Sequence, residues 1–182
     1  IGVIWDSTFA HSGITSLLGT VYNGGVGTLC ILDNRTTAMT GTQGNPVNGV
    51  TLAQQAARVS PLDNPSGKPL DLVKLCEAIG VDEVELVDAQ DLKAIRAALK
   101  SAVSHTDRLS VIIFKAPCRL LDRSRRPMPV IRDCRRCGTC VNIGCPALGK
   151  DETGHPVIDP VQCIGCGQCA QSCPFGCITQ EG

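Results

Sequence analysis

The C-terminal part of the chain contains two cysteine runs, CRRCGTCVNIGCP at residues 134–146 and CIGCGQCAQSCP at residues 163–174. Each run has three cysteines spaced as C-x2-C-x2-C, followed by a fourth cysteine and a proline. Runs of this kind arrange thiolates around cubane iron–sulfur clusters, and in two-cluster domains the fourth cysteine of each run ligates the other cluster. The sequence therefore predicts a small domain built around two [4Fe–4S] clusters.

The crossing of the fourth cysteine gives each cluster its ligand set. The first run has four residues before its last cysteine where the bacterial pattern has three, and the number of ligands is unchanged. Paired zinc sites are the alternative, although zinc is often held by two separated CxxC pairs. We expect Cys177 to be a buried packing cysteine close to the cluster that Cys173 ligates. The first cluster is assigned Cys134, Cys137, Cys140 and Cys173, and the second is assigned Cys163, Cys166, Cys169 and Cys145.

Composition narrows the class of protein to which these runs belong. The 182 residues carry 17 basic and 17 acidic side chains, so no overall charge favours nucleic acid or a membrane surface. No apolar stretch reaches the roughly 18 residues that a membrane-spanning helix needs. Cysteines that hold clusters need a reducing compartment, which predicts a cytoplasmic protein with no nucleic-acid or membrane partner.

Residues 1–117 have the pattern of an α/β domain. Apolar runs alternate with helical periods, which predicts a doubly wound parallel sheet with helices on both faces, and Ser12 is a candidate cap for the first helix. Residues 118–133 hold five arginines and two prolines and are interpreted as a linker, followed by a small α+β ferredoxin-like domain at 134–182. We expect strands at 1–5, 26–33, 84–88 and 109–116, and helices at 13–22, 71–80 and 91–103.

Polar residues follow two of the expected strands. Asp6 and Ser7 come after the first strand, and Asn34 and Thr36 come after the second. The carboxyl ends of parallel strands meet at one edge of the sheet, where α/β proteins bind ligands. A carboxylate, an amide oxygen and a backbone carbonyl suit Mg²⁺, and a helix opening at Gly13 would direct N–H groups to phosphates. Asp and Asn are also common in the turns that follow strands. The pattern alone is therefore compatible with either a ligand site or ordinary turns.

The segments DSTFAHSGITSLL (6–18), ILDNRTTAMTG (31–41) and LDLVKLCEAIGV (70–81), together with the cysteine runs, resemble the alpha subunits of indolepyruvate:ferredoxin oxidoreductases. These subunits bind thiamine diphosphate. The resemblance covers essentially the whole chain but only the C-terminal part of the much longer subunit. We therefore interpret the chain as a fragment, and we expect it to be inactive alone because residues 1–117 supply candidates only for the diphosphate half of a thiamine site.

The resemblance also implies roles for residues near the first two strand ends. Two positions depart from the family, since Trp5 replaces a glycine and Thr42 replaces a histidine. An indole at position 5 is expected to crowd the phosphate site. The resemblance implies that Mg²⁺ is bound by Asp6, Asn34 and the Thr36 carbonyl, and thiamine diphosphate by Ser7, Thr8, His11, Ser12, Gly13 and Thr37.

The activity implied by the resemblance is oxidative decarboxylation of an arylpyruvate to an acyl-coenzyme A. Electrons would pass through the two clusters to ferredoxin, and a smaller beta subunit would complete the enzyme. Two alternatives remain open from the sequence. One is a ferredoxin-like electron carrier whose N-terminal domain serves only for docking, and the other is an enzyme that acts on pyruvate or another 2-oxoacid.

Overall fold

The computed structural model describes residues 1–57, 65–119, 121–122, 124 and 126–180. Within these ranges the chain forms two compact units, one from Ile1–Ala89 and Ala94–Arg123 and the other from Gln90–Lys93 and Ser124–Gly182. None of the helices in the described ranges has the length and apolar character needed to span a bilayer.

The first unit contains a four-stranded parallel sheet. Its strands lie in the order β1–β2–β4–β3, so the two most apolar strands are central. The described residues thus confirm the expected α/β class and all four expected strands, with ends shifted by at most one residue. The strands are β1 (Gly2–Trp5), β2 (Gly27–Asp33), β3 (Glu83–Asp88) and β4 (Leu109–Lys115).

A helical segment begins directly after β1, earlier than the sequence pattern indicates. It runs without a break through α1 (Asp6–Thr8), a π-helical stretch (Phe9–Gly13) and α2 (Ile14–Tyr22). The expectation that Ser12 caps a helix at Gly13 is therefore wrong, because the Ser12 hydroxyl donates back to the Thr8 carbonyl inside the helical segment. Gly13 serves packing, since a Cβ there would lie 2.7 Å from the Phe9 ring and 3.0 Å from Ile4.

The other helices of the first unit have recognisable ends. The short helix α3 (Leu52–Ala56), which the sequence pattern did not indicate, starts with a capping box between Thr51 and Gln54. Helix α4 (Leu72–Ile79) begins with Asp71, whose carboxylate accepts from the Lys74 N–H, and ends at Gly80 in the left-handed conformation. Helix α5 (Leu92–Ser104) follows β3.

The sheet buries a separate apolar cluster on each face. Alternate residues of β2 and β4 point to opposite sides, which is the period of a strand. Ile31 and Ile113 pack with α2 and α4, whereas Cys30 and Ile112 pack with Ala98 and other small residues of α5. Helices therefore cover both faces, as a parallel sheet requires.

The second unit has little regular structure. Strands β5 (Val130–Ile131) and β8 (Ile178–Thr179) form one antiparallel pair, and β6 (Leu148–Lys150) and β7 (Pro156–Ile158) form another. A short helix, α6, spans Gln168–Ser172, and a 3₁₀ turn spans Val141–Ile143. Residues 130–131, which lie in the segment interpreted as a linker, thus pair with the end of the cysteine-rich region.

Two cysteines of the first unit are core residues. Cys30 is 4% exposed and Cys76 is fully buried, and burial raises the pKa of both thiols. Replacing Cys76 with Ala should lower the free energy of unfolding by about 1 kcal/mol through lost packing. Iron content should stay unchanged, as it should for Cys30→Ala. Chemical denaturation and iron analysis of both variants check this, and loss of iron in either would show a wrong ligand assignment.

Candidate functional site

Asp6 stands at the carboxyl end of β1 with its side chain fully buried. The Ser7 N–H donates to its Oδ1 over 2.7 Å. Its Oδ2 is buried without a hydrogen-bond partner in the described part of the chain. Burial raises the pKa of this carboxyl to about 7, and the Ser7 hydrogen bond only partly opposes that effect. A buried carboxylate oxygen with no donor is a costly arrangement that a cation would relieve.

Asp33 is the site residue that the sequence pattern missed. The parallel register pairs Trp5 with Leu32, which places Asp6 beside Asp33 at the end of the neighbouring strand. The charge of Asp33 also contributes to the raised pKa of Asp6. Asp33 is itself 3% exposed and accepts from the Arg35 N–H over 3.0 Å, while the Arg35 guanidinium lies 3.6 Å away. Two carboxylates, those of Asp6 and Asp33, therefore lie side by side at this edge of the sheet, where the sequence predicted only Asp6.

A cavity of about 210 Å³ opens next to Asp6. The Asn34 Oδ1 accepts from the Thr36 N–H over 3.1 Å, which holds the turn after β2 against the cavity. Because α1 starts at Asp6, Ser7 and Thr8 of its first turn line this cavity. The start of a helical segment favours anions, although the Ser7 N–H already donates to Asp6. The lining residues are Trp5, Ser7, Thr8, Asn34, Thr36, Thr37, Ala38 and Met39.

Trp5 does not disturb the backbone at this edge. Its φ of −79° and ψ of 151° are ordinary extended values, so the conformation at this position does not require a glycine. The indole is 47% exposed and lines the cavity together with Met39, which is 94% exposed. Trp5 therefore forms an apolar wall of the cavity. That its indole crowds a bound phosphate stays a prediction.

The remaining residues that the resemblance implicated lie outside the cavity lining. His11 and Ser12 are exposed on the π-helical stretch, and Gly13 is buried against β1. Thr42 adopts a positive φ of 62° in the turn after β2, and its hydroxyl donates to the Gly41 carbonyl. The structure thus brings together Ser7, Thr8, Asn34, Thr36 and Thr37 around the cavity but leaves His11, Ser12 and Gly13 apart from it.

In the second unit, the four cysteines assigned to the second cluster share one cavity. Its volume is about 300 Å³, and Cys145, Cys163, Cys166 and Cys169 all line it. Cys145 comes from the first run and the other three from the second, which is the crossing expected for two-cluster domains. The cavity wall is otherwise mainly apolar, with Ile143, Leu148, Ile158 and Ile164.

The cysteines assigned to the first cluster influence one another electrostatically. Burial raises the pKa of Cys140, and Cys134 and Cys173 raise it further. The Thr139 hydroxyl and N–H lower the pKa of the exposed Cys137 thiol, against a smaller opposing effect of Cys173. Cys173, from the second run, therefore lies near the first run. Within the described ranges, no three His, Cys, Asp or Glu side chains converge on the position of a single metal ion.

Backbone N–H groups point at the sulfurs of the first set. The Arg136 N–H donates to Cys134 Sγ and the Cys177 N–H donates to Cys173 Sγ, each over 3.3 Å. Although burial would raise the pKa of Cys173, backbone groups of Phe175, Cys177 and Ile178 bring it below its usual value. The hydrogen bonds to Cys173 favour its thiolate form, which is the form that binds metal.

Cys177 differs from the expected buried packing residue. Its side chain is half-buried, and its Sγ donates to the Asp133 carbonyl over 3.3 Å. Burial raises the pKa of its thiol, as do the neighbouring Cys173 and Cys134. The proximity to Cys173 agrees with the sequence-based expectation, whereas the partial exposure does not.

Comparison with known proteins defines the class of this protein. The family model of the thiamine pyrophosphate enzyme C-terminal TPP-binding domain matches residues 1–114, and the chain belongs to that family. The model of the 4Fe-4S binding domain matches residues 156–179, which include the second cysteine run. The fold and both candidate sites are consistent with this combination of domains. No solved structure gives a significant match.

The chain is homologous to indolepyruvate oxidoreductase subunits IorA. It is 36% identical to the IorA subunit of Methanothermobacter thermautotrophicus over 189 residues, which cover 100% of this chain and 28% of that subunit. The subunit of Thermococcus kodakarensis is 37% identical, with 96% and 27% covered, and that of Archaeoglobus fulgidus is 38% identical, with 96% and 27% covered. The chain thus spans little more than a quarter of the length of these relatives.

Proposed function

We propose that this chain is the diphosphate-binding and electron-relay portion of an oxidoreductase that decarboxylates an arylpyruvate, with indolepyruvate as the substrate. The products are carbon dioxide, an acyl-coenzyme A and reduced ferredoxin, and a smaller second subunit completes the enzyme in the cytoplasm. The observation that carries the proposal is the buried Asp6 Oδ2, which has no hydrogen-bond partner in the described residues. Asp6 lies between Trp5 and Ser7, which both line the cavity. The names of the related IorA subunits support the choice of substrate.

Mg²⁺ and the diphosphate of thiamine diphosphate fit the residues around Asp6. Asp6 and Asn34 would supply a carboxylate and an amide oxygen, and the Thr36 carbonyl a third hard donor, as Mg²⁺ requires. Ser7, Thr8 and the start of the helical segment would bind the phosphates. Thiamine diphosphate supplies an electron sink for decarboxylation of the 2-oxoacid. The role of these residues is to hold it in place, and Trp5 and Met39 supply apolar parts of the cavity lining.

Two [4Fe–4S] clusters fit the cysteines of the second unit. Cys134, Cys137, Cys140 and Cys173 would hold the first, and Cys163, Cys166, Cys169 and Cys145 the second. The shared cavity of the second set and the mutual influence of the first set support this assignment. Clusters of this type transfer single electrons, and hydrogen bonds to their sulfurs help to set the potential. The N–H groups of Arg136 and Cys177 are placed to do so.

Binding of thiamine diphosphate tests the proposal directly. Trp5 is the only tryptophan of the chain, so its fluorescence reports on the cavity. Titration with thiamine diphosphate should change the Trp5 emission with Mg²⁺ present and much less without it. Asp6→Asn should weaken this binding by at least roughly tenfold, because even groups that only orient the ligands of a metal contribute tenfold or more to its affinity.

Two controls accompany the titration. Thiamine without the diphosphate should not bind, because the Mg²⁺ site recognises the phosphates. Glu85→Gln changes an exposed carboxyl group on β3 and should leave the affinity unaltered. Two results would favour the alternative in which the first unit is a docking module of an electron carrier. One is that the Asp6→Asn variant binds thiamine diphosphate as tightly as the unsubstituted chain, and the other is that binding does not depend on Mg²⁺.

A further inference from the structure

An open cavity of about 540 Å³ lies beside residues assigned to the first cluster. Arg132 and Arg135 line it, and Asp133 is the one carboxylate among its described lining residues. The Arg135 guanidinium carbon lies 4.8 Å from the centroid of the Phe175 ring, a cation–π contact that holds the guanidinium over an aromatic surface. The cavity therefore offers positive charge next to an exposed ring.

The cavity is directly connected to the first cysteine set. Arg135 lies between Cys134 and Cys137 in the sequence, and Cys177, which also lines the cavity, donates its N–H to Cys173 Sγ. Cys137 is exposed, whereas the other seven assigned ligands are buried or half-buried. The first set is thus the one with a thiol at the surface. We call Arg132, Arg135, Cys137 and Phe175 the first-cluster surface.

The second cysteine set has different surroundings. The described residues that line its cavity include no Asp, Glu, Lys or Arg. Exposed apolar side chains lie nearby in the sequence, with Ile164 at 44% and Val161 at 91% exposure. A charged partner in solution therefore finds two arginines in the cavity beside the first set, whereas the cavity of the second set presents no charged side chain among its described lining residues.

We propose that the first-cluster surface is the docking site for an acidic electron-carrier protein, whose carboxylates approach Arg132 and Arg135 and whose surface covers Phe175. This inference rests on the proposed function, because it gives the electron acceptor a place to bind. It adds that the acceptor binds at the first cluster. Complementary charge speeds encounter and fixes orientation, and an arginine with an aromatic ring is a common anchor in protein interfaces.

The test is a binding measurement with the chain after reconstitution of its clusters and an acidic two-[4Fe–4S] ferredoxin as the probe. The double variant Arg132→Glu, Arg135→Glu should raise the Kd at low ionic strength at least roughly tenfold. The Kd of the double variant should also depend less on salt concentration, because the charge interaction that salt screens is no longer present. The matched control is Arg96→Glu, Lys100→Glu, which makes the same change in charge on exposed positions of α5 and should leave the Kd within about twofold of the unsubstituted chain.

Iron content and reduction by dithionite must be equal in all three proteins, which shows that the changes act on docking. An equal loss of affinity in both double variants would overturn the proposal, because net charge alone would then explain it. Tighter binding of a single-stranded DNA 20-mer than of the ferredoxin would also overturn it. Failure of the unsubstituted chain to bind ferredoxin overturns the docking site alone, since the thiamine diphosphate titration judges the proposed function separately.

Discussion

The Cys173→Ala variant is expected to lose the first cluster and keep the second, although Cys173 belongs to the second cysteine run. The reconstituted chain should hold about eight iron atoms and the variant about four, because each cubane has four. The physical reason is the position of the fourth cysteines. Cys173 acts electrostatically on Cys137 and Cys140, while Cys145 lines the cavity of the other three cysteines of the second run.

Pairs of substitutions identify which cluster is lost. Adding Cys140→Ala to Cys173→Ala should remove no further iron, because both residues serve one cluster. Adding Cys169→Ala should remove the remaining four or so atoms. All variants are made with Cys177→Ala, since the Cys177 backbone lies beside Cys173 and its thiol is a possible replacement ligand. Iron and sulfide analysis with electron paramagnetic resonance gives the result, and the reverse pattern would mean that each run holds its own cluster.

Most of the predictions for the second unit, including its cluster ligands, came from the cysteine spacing. A C-x2-C-x2-C run fixes three thiolates within one loop, so a local pattern suffices to find the ligands. The strand pair of Val130–Ile131 with Ile178–Thr179 was not predicted, because two-residue strands have no detectable period and depend on a contact between distant residues. The hydrogen bonds that the Arg136 and Cys177 N–H groups donate to sulfur depend on the path of the backbone, which the cysteine spacing does not show.

In the first unit, periodicity predicted the strands because β2 and β4 are continuous apolar runs that are buried on both faces. The predicted start of the first helix was wrong for two reasons. Asp6–Thr8 has no apolar period that would indicate a helix, and Ser12 is a residue type that commonly caps one. Asp33 was missed for another reason. It ends an apolar strand, and only the register between β1 and β2 shows that it lies beside Asp6.

In the absence of Mg²⁺, the first unit should lose stability as the pH rises from about 4 through 7. Burial raises the pKa of Asp6 to about 7 from an ordinary value of 3.8. Between these values the folded chain holds a proton that the unfolded chain has released. The free energy of unfolding therefore falls with rising pH in this window and levels off above it, by an amount on the order of a few kcal/mol.

Asp6→Asn should remove most of this dependence, because the amide does not ionise. Thermal unfolding followed by Trp5 fluorescence at a series of pH values measures it. The exposed carboxyl of Glu85 provides the control, and Glu85→Gln should keep the pH profile of the unsubstituted chain. A profile for Asp6→Asn that matches the unsubstituted chain would show that Asp6 is not the group responsible.

Mg²⁺ should reverse this dependence of stability on pH, since the cation and the proton compete for the Asp6 carboxylate. With Mg²⁺ and thiamine diphosphate in excess, binding stabilises the folded chain more at pH 8 than at pH 6, because less work is spent on removing the proton from Asp6. The apparent affinity should rise up to about tenfold per pH unit below 7 and become constant above it. An affinity that does not change between pH 6 and 8 would mean that Asp6 is not a ligand of the cation.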